Sequence, residues 1–316
     1  MNALPRLKPR RPRRGDCLSL VAPSGSAQDA ARVEVSAEAL ASLGFRVKVS
    51  PHCAEVYGYL AGSDAFRAAD LEAAFLDPET SGVVCLKGGY GTPRILDRID
   101  YRIMAEHPKP FLGYSDITAL HLAFRRHSGL VTLHTPMPSS DMVPDFDSAS
   151  KASLEALLFD TAFPRTILNP GGAALGNLVE GCAEGELAGG NLSLLAATMG
   201  TPWQIEAEGR ILFIEDVDEA PYRLDRMLNQ LRLAGIFDAC EGIVFGAFSR
   251  CEAPEGKRTL DIREIIADLV APSGKPTLVG LEAGHCVPSV SLPLGTACRI
   301  DSGKGSLTLL ESPFAD

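Results

Sequence analysis

The chain has 316 residues, 46% of them hydrophobic and 22% charged, with 30 Lys and Arg against 40 Asp and Glu. That length suffices for two domains with substantial cores, and the formal net charge of −10 argues against a general nucleic-acid binder. No apolar run approaches the roughly 20 residues that span a bilayer, and no apolar segment follows the basic start before a cleavage-like site, so the expected setting is cytoplasmic, with no membrane partner.

Residues 1–14 hold a basic run, Arg6 to Arg14, interrupted by Pro9 and Pro12. Proline prevents a helix there, and a solvated, flexible tail is expected. Cys17 to Ala22 is an apolar run ending in Pro-Ser-Gly and reads as a first buried strand. Val33, Ala37, Leu40 and Leu43 mark a helix stopped by Gly44; Phe45 to Val49 is a second strand; Ser63 caps a helix running through Phe75. Gly82 to Leu86 lacks alternation, as a strand covered on both faces does. A helix-like Pro93–Ile99, a strand Pro110–Gly113, a helix after Ser115 and a strand Leu130–Leu133 complete a βα alternation. This predicts an α/β fold with a doubly wound, mainly parallel sheet over residues 15–162.

From Phe163 the texture changes to Asn169-Pro170-Gly171-Gly172 and further glycines, so 163–188 is expected as a linker. Residues 189–316 then form a second, smaller mixed α/β domain. In it Asn191–Met199, Pro221–Ala234 and Leu260–Val270 read as helices, Arg210–Ile214 and Gly242–Phe248 as strands, and the remainder as β-rich. The eight cysteines are scattered without a C-x-x-C pair. Reduced core thiols are expected, with neither disulfides nor a zinc site.

Ser115 falls where the chain must reverse between a strand and an amphipathic helix, a turn that exposes its apex side chain and leaves helix-start amides open to an anion. A helix cap formed by Ser115 or Asp116 explains the same residues equally well. Lys87-Gly88-Gly89-Tyr90-Gly91 follows the preceding strand and fits neither nucleotide fingerprint. Its glycines suit an oxyanion hole in which the amides of Gly89 and Asp116 act together, or simply a tight turn. A serine nucleophile needs a base, and there are six histidines. His285 stands apart in the turn Ala-Gly-His-Cys-Val-Pro, although a lone histidine is more often structural. For the carboxylate that orients a base, Glu215, Asp216, Asp218 and Glu219 compete. Position at a strand end favours Glu215.

Five stretches in order, Leu86-Lys-Gly-Gly-Tyr-Gly-Thr, Phe111-Leu-Gly-Tyr-Ser-Asp-Ile-Thr-Ala-Leu, Gly189-Gly-Asn-Leu-Ser-Leu-Leu, Leu212-Phe-Ile-Glu-Asp-Val and Pro221-Tyr-Arg-Leu-Asp-Arg-Met-Leu, resemble the LD-carboxypeptidase family. That family takes in muramoyltetrapeptide carboxypeptidases and microcin C self-immunity peptidases. The resemblance runs from about Gly15 to Leu310. It implies a flavodoxin-like first domain carrying the nucleophile Ser115 and the oxyanion amides of Gly89 and Asp116. The second domain would supply the acid Glu215 and the base His285, and Asn191 would help bind substrate. It further implies a homodimer without cofactor or metal that removes the terminal D-alanine from murein tetrapeptides in cell-wall peptide recycling. A peptidyl-nucleotide antibiotic as substrate, or a non-catalytic binder of murein peptides, are the alternatives. The chain departs from the family pattern at Lys87, where Arg is frequent, at Cys286, where Gly is frequent, and in Gly280-Leu-Glu-Ala-Gly.

Overall fold

The computed structural model describes residues 4–253, 256 and 258–315. The chain divides into two compact units, Met1–Thr161 with Ser291–Gly295 and Pro313–Asp316, and Ala162–Val290 with Thr296–Ser312.

In the first unit the elements are β1 (Cys17–Val21), α1 (Ala30–Ala41), β2 (Arg46–Val49), α2 (Asp64–Leu76), β3 (Gly82–Cys85), α3 (Tyr101–Glu106), β4 (Phe111–Gly113), α4 (Thr118–Ser128), β5 (Thr132–His134) and α5 (Ser148–Phe159). The helix-like Pro93–Ile99 resolves into two 3₁₀ turns, Thr92–Arg94 and Leu96–Arg98. Ser63 caps α2 as its position foretold, its side chain accepting from the amide of Phe66 at 3.2 Å; such caps contribute about 1 kcal/mol. The strands run β2-β1-β3-β4-β5 in parallel, and a late strand, Leu292–Leu294, adds an antiparallel edge beside β5. This is the flavodoxin-like order, with its topological switch between β1 and β3. Loops leaving those two strands meet there, the amide of Gly25 bonding the carbonyl of Gly88 at 3.2 Å. Leu20, Val84, Leu112 and Leu133 of successive strands share one apolar cluster with Leu40, Leu157 and Phe314.

The basic start is not a free tail. Leu7 bridges to Leu130, and its amide bonds the Gly129 carbonyl at 2.8 Å. Arg11 stacks over Phe314 and Arg14 over Phe159, at 4.8 and 4.5 Å from the ring centroids. Arg14 also donates to the carbonyl of Leu43. Planar guanidinium groups can cover aromatic edges while keeping their charge hydrated; charge counting alone had suggested a solvated tail.

In the second unit lie β6 (Arg165–Ile167), β7 (Gly176–Val179), β8 (Cys182–Asn191), α6 (Leu192–Thr198), β9 (Arg210–Val217), α7 (Pro221–Leu233), α8 (Ile236–Ala239), β10 (Gly242–Ser249), α9 (Ile262–Leu269) and β11 (Thr277–Val279). Beyond the edge strand of the first unit, which is β12, follow β13 (Ala297–Asp301) and β14 (Ser306–Leu309). The eight-stranded sheet has the order β6-β14-β13-β8-β9-β10-β11-β7, parallel from β8 through β11 and antiparallel outside them. Residues 163–188 therefore correct the linker expectation, because they supply strands of this sheet. Glycine in β8 marks close backbone approach and not flexibility: a Cβ on Gly185 would lie 2.9 Å from the carbonyl oxygen of Gly209.

Candidate active site

Ser115 has a φ of +65°, a left-handed conformation rare for a residue with a side chain. It opens a 3₁₀ turn, Ser115–Ile117, between β4 and α4. Holding a non-glycine residue there costs on the order of 1–2 kcal/mol, a strain typical of functional turns. Gly88 faces it so closely that a Cβ on Gly88 would stand 2.8 Å from the Ser115 Cβ and 2.9 Å from its Oγ. Gly89, with φ +117°, packs against Gly25. Asp116 is 1% exposed; its Oδ2 accepts from the Ser24 hydroxyl at 2.6 Å and the Thr92 amide at 2.8 Å. Burial pushes its carboxyl pKa up, against hydrogen bonds from Ser24, Thr92 and the Gly91 backbone that favour the carboxylate. The serine, the glycine loop and Asp116 are thus brought together within one unit. The residues that precede the 3₁₀ turn and α4, Tyr114 and Ile117, make no side-chain cap.

The second cluster lies in the second unit. Strand β9 extends to Val217, so Glu215 sits inside it, paired with Asn191 of β8, and does not lie just past the strand end. Glu215 is fully buried. Its Oε2 accepts from His285 Nδ1 at 2.7 Å and from the His285 amide at 3.2 Å. Gly284, at φ +101°, makes this possible, since a Cβ there would lie 2.6 Å from the Glu215 Cγ. Asn191 caps α6 through its Oδ1, while its Nδ2 donates to Glu215 Oε1 at 3.3 Å and to Asp216 Oδ1 at 2.9 Å. It is 4% exposed, and its amide serves two carboxylates. Burial raises the Asp216 pKa, and Ser193 satisfies its Oδ2 through amide and hydroxyl at 2.9 and 2.8 Å.

The rest of the acidic run is engaged elsewhere, Asp218 with Arg250 at 2.6 and 2.8 Å and Glu219 with Arg223 at 3.4 Å. Among the described residues no group of three or more His, Cys, Asp and Glu side chains is placed to hold a metal ion. All eight cysteines are free thiols. Burial drives the Cys286 pKa up to about 11, which makes it a poor nucleophile near neutrality. Of the other histidines, His121 is buried against the Gly113 carbonyl with its pKa lowered to about 4 by burial. His134 lies in β5, His127 stacks on Tyr101, and His107 ends α3. His52 pairs with Asp70. Sequence reading missed Ser24 and Thr92 as partners of Asp116 and the close approach of Gly284 to Glu215; the Pro-Ser-Gly turn after β1 was the available sign for Ser24.

Parts of this kind suit acyl transfer through a serine, the chemistry of a hydrolase with a serine nucleophile. Residues 18–135 match the LD-carboxypeptidase N-terminal domain, and residues 184–300 the LD-carboxypeptidase C-terminal domain. The chain is 42% identical over 299 residues to a probable murein peptide carboxypeptidase of Bacillus subtilis, covering 94% of this chain and 92% of that protein. It is 32% identical over 298 residues to the murein tetrapeptide carboxypeptidase of Pseudomonas aeruginosa, covering 91% and 94%. The fold is shared with a mutant of the microcin C7 self immunity protein MccF in complex with adenosine monophosphate, at a TM-score of 0.90 and 24% identity over 98% of this chain and 100% of that one. The chain belongs to the LD-carboxypeptidase family, a family of serine peptidases.

Proposed function

We propose that the protein is a serine LD-carboxypeptidase that cleaves the amide between the L-centre of diaminopimelate or lysine and the terminal D-alanine of a murein tetrapeptide. The observation that carries this reading is the left-handed Ser115 held against Gly88, a strained presentation that a helix cap does not need. The murein peptide specificity is drawn from the two named relatives.

In the proposed reaction His285, its Nδ1 bound by Glu215, accepts the Ser115 proton at Nε2 while Ser115 Oγ attacks the amide carbonyl. The amides of Gly89 and Asp116 receive the oxyanion, an interaction whose loss costs roughly 3–4 kcal/mol per donor in comparable sites. Imidazolium then protonates the departing amine and D-alanine leaves. Water, deprotonated by the same imidazole, hydrolyses the acyl-enzyme. Asn191 contributes by fixing Glu215. We further propose a cytoplasmic homodimer, for which sedimentation at catalytic concentrations is the check.

The test is incubation with a murein tetrapeptide and, separately, with a pentapeptide ending in D-alanyl-D-alanine, measuring free D-alanine. Release from the tetrapeptide, abolished in Ser115→Ala, is expected. Release from the pentapeptide alone would overturn the LD reading, and turnover of a peptidyl-nucleotide conjugate alone would move the substrate to that class. Binding of tetrapeptide without release would leave a binder.

A further inference from the structure

Arg67 of α2 is only 2% exposed, and a guanidinium that deep is costly unless each partner is well placed. One partner is Asp64, a turn earlier on the same helix, which Arg94 also engages at 2.9 Å. The remaining bonds leave the helix. Arg67 Nη1 donates to the carbonyl of Pro23 at 2.5 Å and to the carbonyl of Gly91 at 2.8 Å. These carbonyls belong to the two loops that meet at the switch point of the first sheet, after β1 and after β3. Gly91 has a φ of +150°, and a Cβ there would lie 2.8 Å from Arg67 Nη1, so the loop residue is glycine where the guanidinium presses on it.

Asp116 grips the same two loops one residue further on. Its carboxylate takes the hydroxyl of Ser24 and the amide of Thr92, and its own carbonyl takes the Thr92 hydroxyl at 2.5 Å. The Gly91–Thr92 peptide group is therefore held at both ends, its oxygen by Arg67 and its N–H by Asp116. The Pro23–Ser24 pair is held likewise, by the Pro23 carbonyl and the Ser24 hydroxyl. A buried cation and a buried carboxylate pull on opposite faces of one short stretch of loop, and that stretch adjoins Gly88 and Gly89.

We propose that Arg67 and the Asp116 side chain are the positioning residues of the oxyanion hole, a two-ended clamp that fixes the glycine loop and the turn after Ser115 in the geometry an oxyanion requires. The proposal rests on the reading of Ser115 as nucleophile and of Gly89 and Asp116 as amide donors. Neither side chain touches substrate. Their effect is on the placement of amides, so it falls on the acylation step and not on substrate affinity.

The test follows the rate at which a fluorophosphonate labels Ser115, read by intact mass, beside kcat and KM for D-alanine release. The variants are Arg67→Met, Arg67→Lys and Ser24→Ala, each first checked for an unchanged far-ultraviolet spectrum. Arg67→Met should slow labelling and lower kcat by about 100-fold with KM within about 3-fold, and Arg67→Lys should recover part of that loss by reaching one carbonyl. Ser24→Ala, which removes the hydroxyl that the loop after β1 donates to Asp116, should cost about 10-fold and provides the readout if Arg67→Met does not fold. Labelling and kcat within 2-fold of the unaltered protein in the folded variants would overturn the clamp, as would a rise in KM at constant kcat. Failure of the unaltered protein to label would overturn the nucleophile assignment and the clamp with it. Labelling without D-alanine release would leave the clamp standing and remove the substrate.

Discussion

The protein contains the same small device twice. In the first unit Asp70 accepts from His52 Nδ1 at 2.8 Å and from the His52 amide at 3.0 Å. In the second unit Glu215 accepts from His285 Nδ1 at 2.7 Å and from the His285 amide at 3.2 Å. What differs is the surroundings. The His52 ring lies flat on Phe66, with centroids 4.0 Å apart, and Asp70 projects from α2, so the pair ties a loop to a helix. Glu215 is fully buried in a central strand, braced by Asn191, and approached through a left-handed glycine. A histidine–carboxylate bond does not by itself mark a base. The bracing of the carboxylate and the backbone strain around it separate the two pairs.

The same change made in both pairs separates them. Glu215→Gln should lower kcat for D-alanine release by about 10³-fold with little change in melting temperature, because the amide cannot hold the imidazolium. Asp70→Asn should leave kcat within about 2-fold and cost about 1 kcal/mol of stability. Equal losses of activity would erase the distinction. Next in size, Gly284→Ala should reduce kcat by about 10²-fold while leaving fluorophosphonate labelling detectable, since the added methyl must displace Glu215. Unaltered kinetics would mean that the close approach is incidental.

A third histidine without a carboxylate sharpens what the carboxylate supplies. Burial lowers the His121 pKa from 6.5 to about 4. Between those values the unfolded chain binds a proton that the folded chain refuses, so stability is complete above the unfolded pKa and declines as the pH falls toward the folded one. The loss amounts to about 3 kcal/mol at the acid end. Denaturant melts of His121→Gln across pH 4 to 7 should show a flatter acid limb than the unaltered protein; parallel limbs would contradict this reading.

Much of the fold was legible because periodicity and caps are local. Ser63 and its helix, the unalternating Gly82 strand and the reversal at Ser115 all follow from neighbours in sequence. The late strand Leu292–Leu294 was not legible as part of the first sheet, because its partner β5 lies more than 150 residues earlier and nothing in a three-residue apolar run names a partner. The stretch 163–188 misled because glycine signals both loose chain and close-packed strand, and only the neighbouring strands distinguish the two. At the candidate site, residue types singled out Ser115 and the glycine loop, which lie against each other at Gly88. Glu215 was separable from Asp216 only through the family resemblance and strand position, and Arg67 was hidden because an arginine in an amphipathic helix reads as solvated surface.

The role of His285 as base is tested by D-alanine release from murein tetrapeptide in His285→Ala and His52→Ala, assayed together with the unaltered protein. The first should lose at least about 10³-fold in kcat and the second change by no more than about 2-fold. Retained release in His285→Ala, or its loss in a folded His52→Ala, would contradict it.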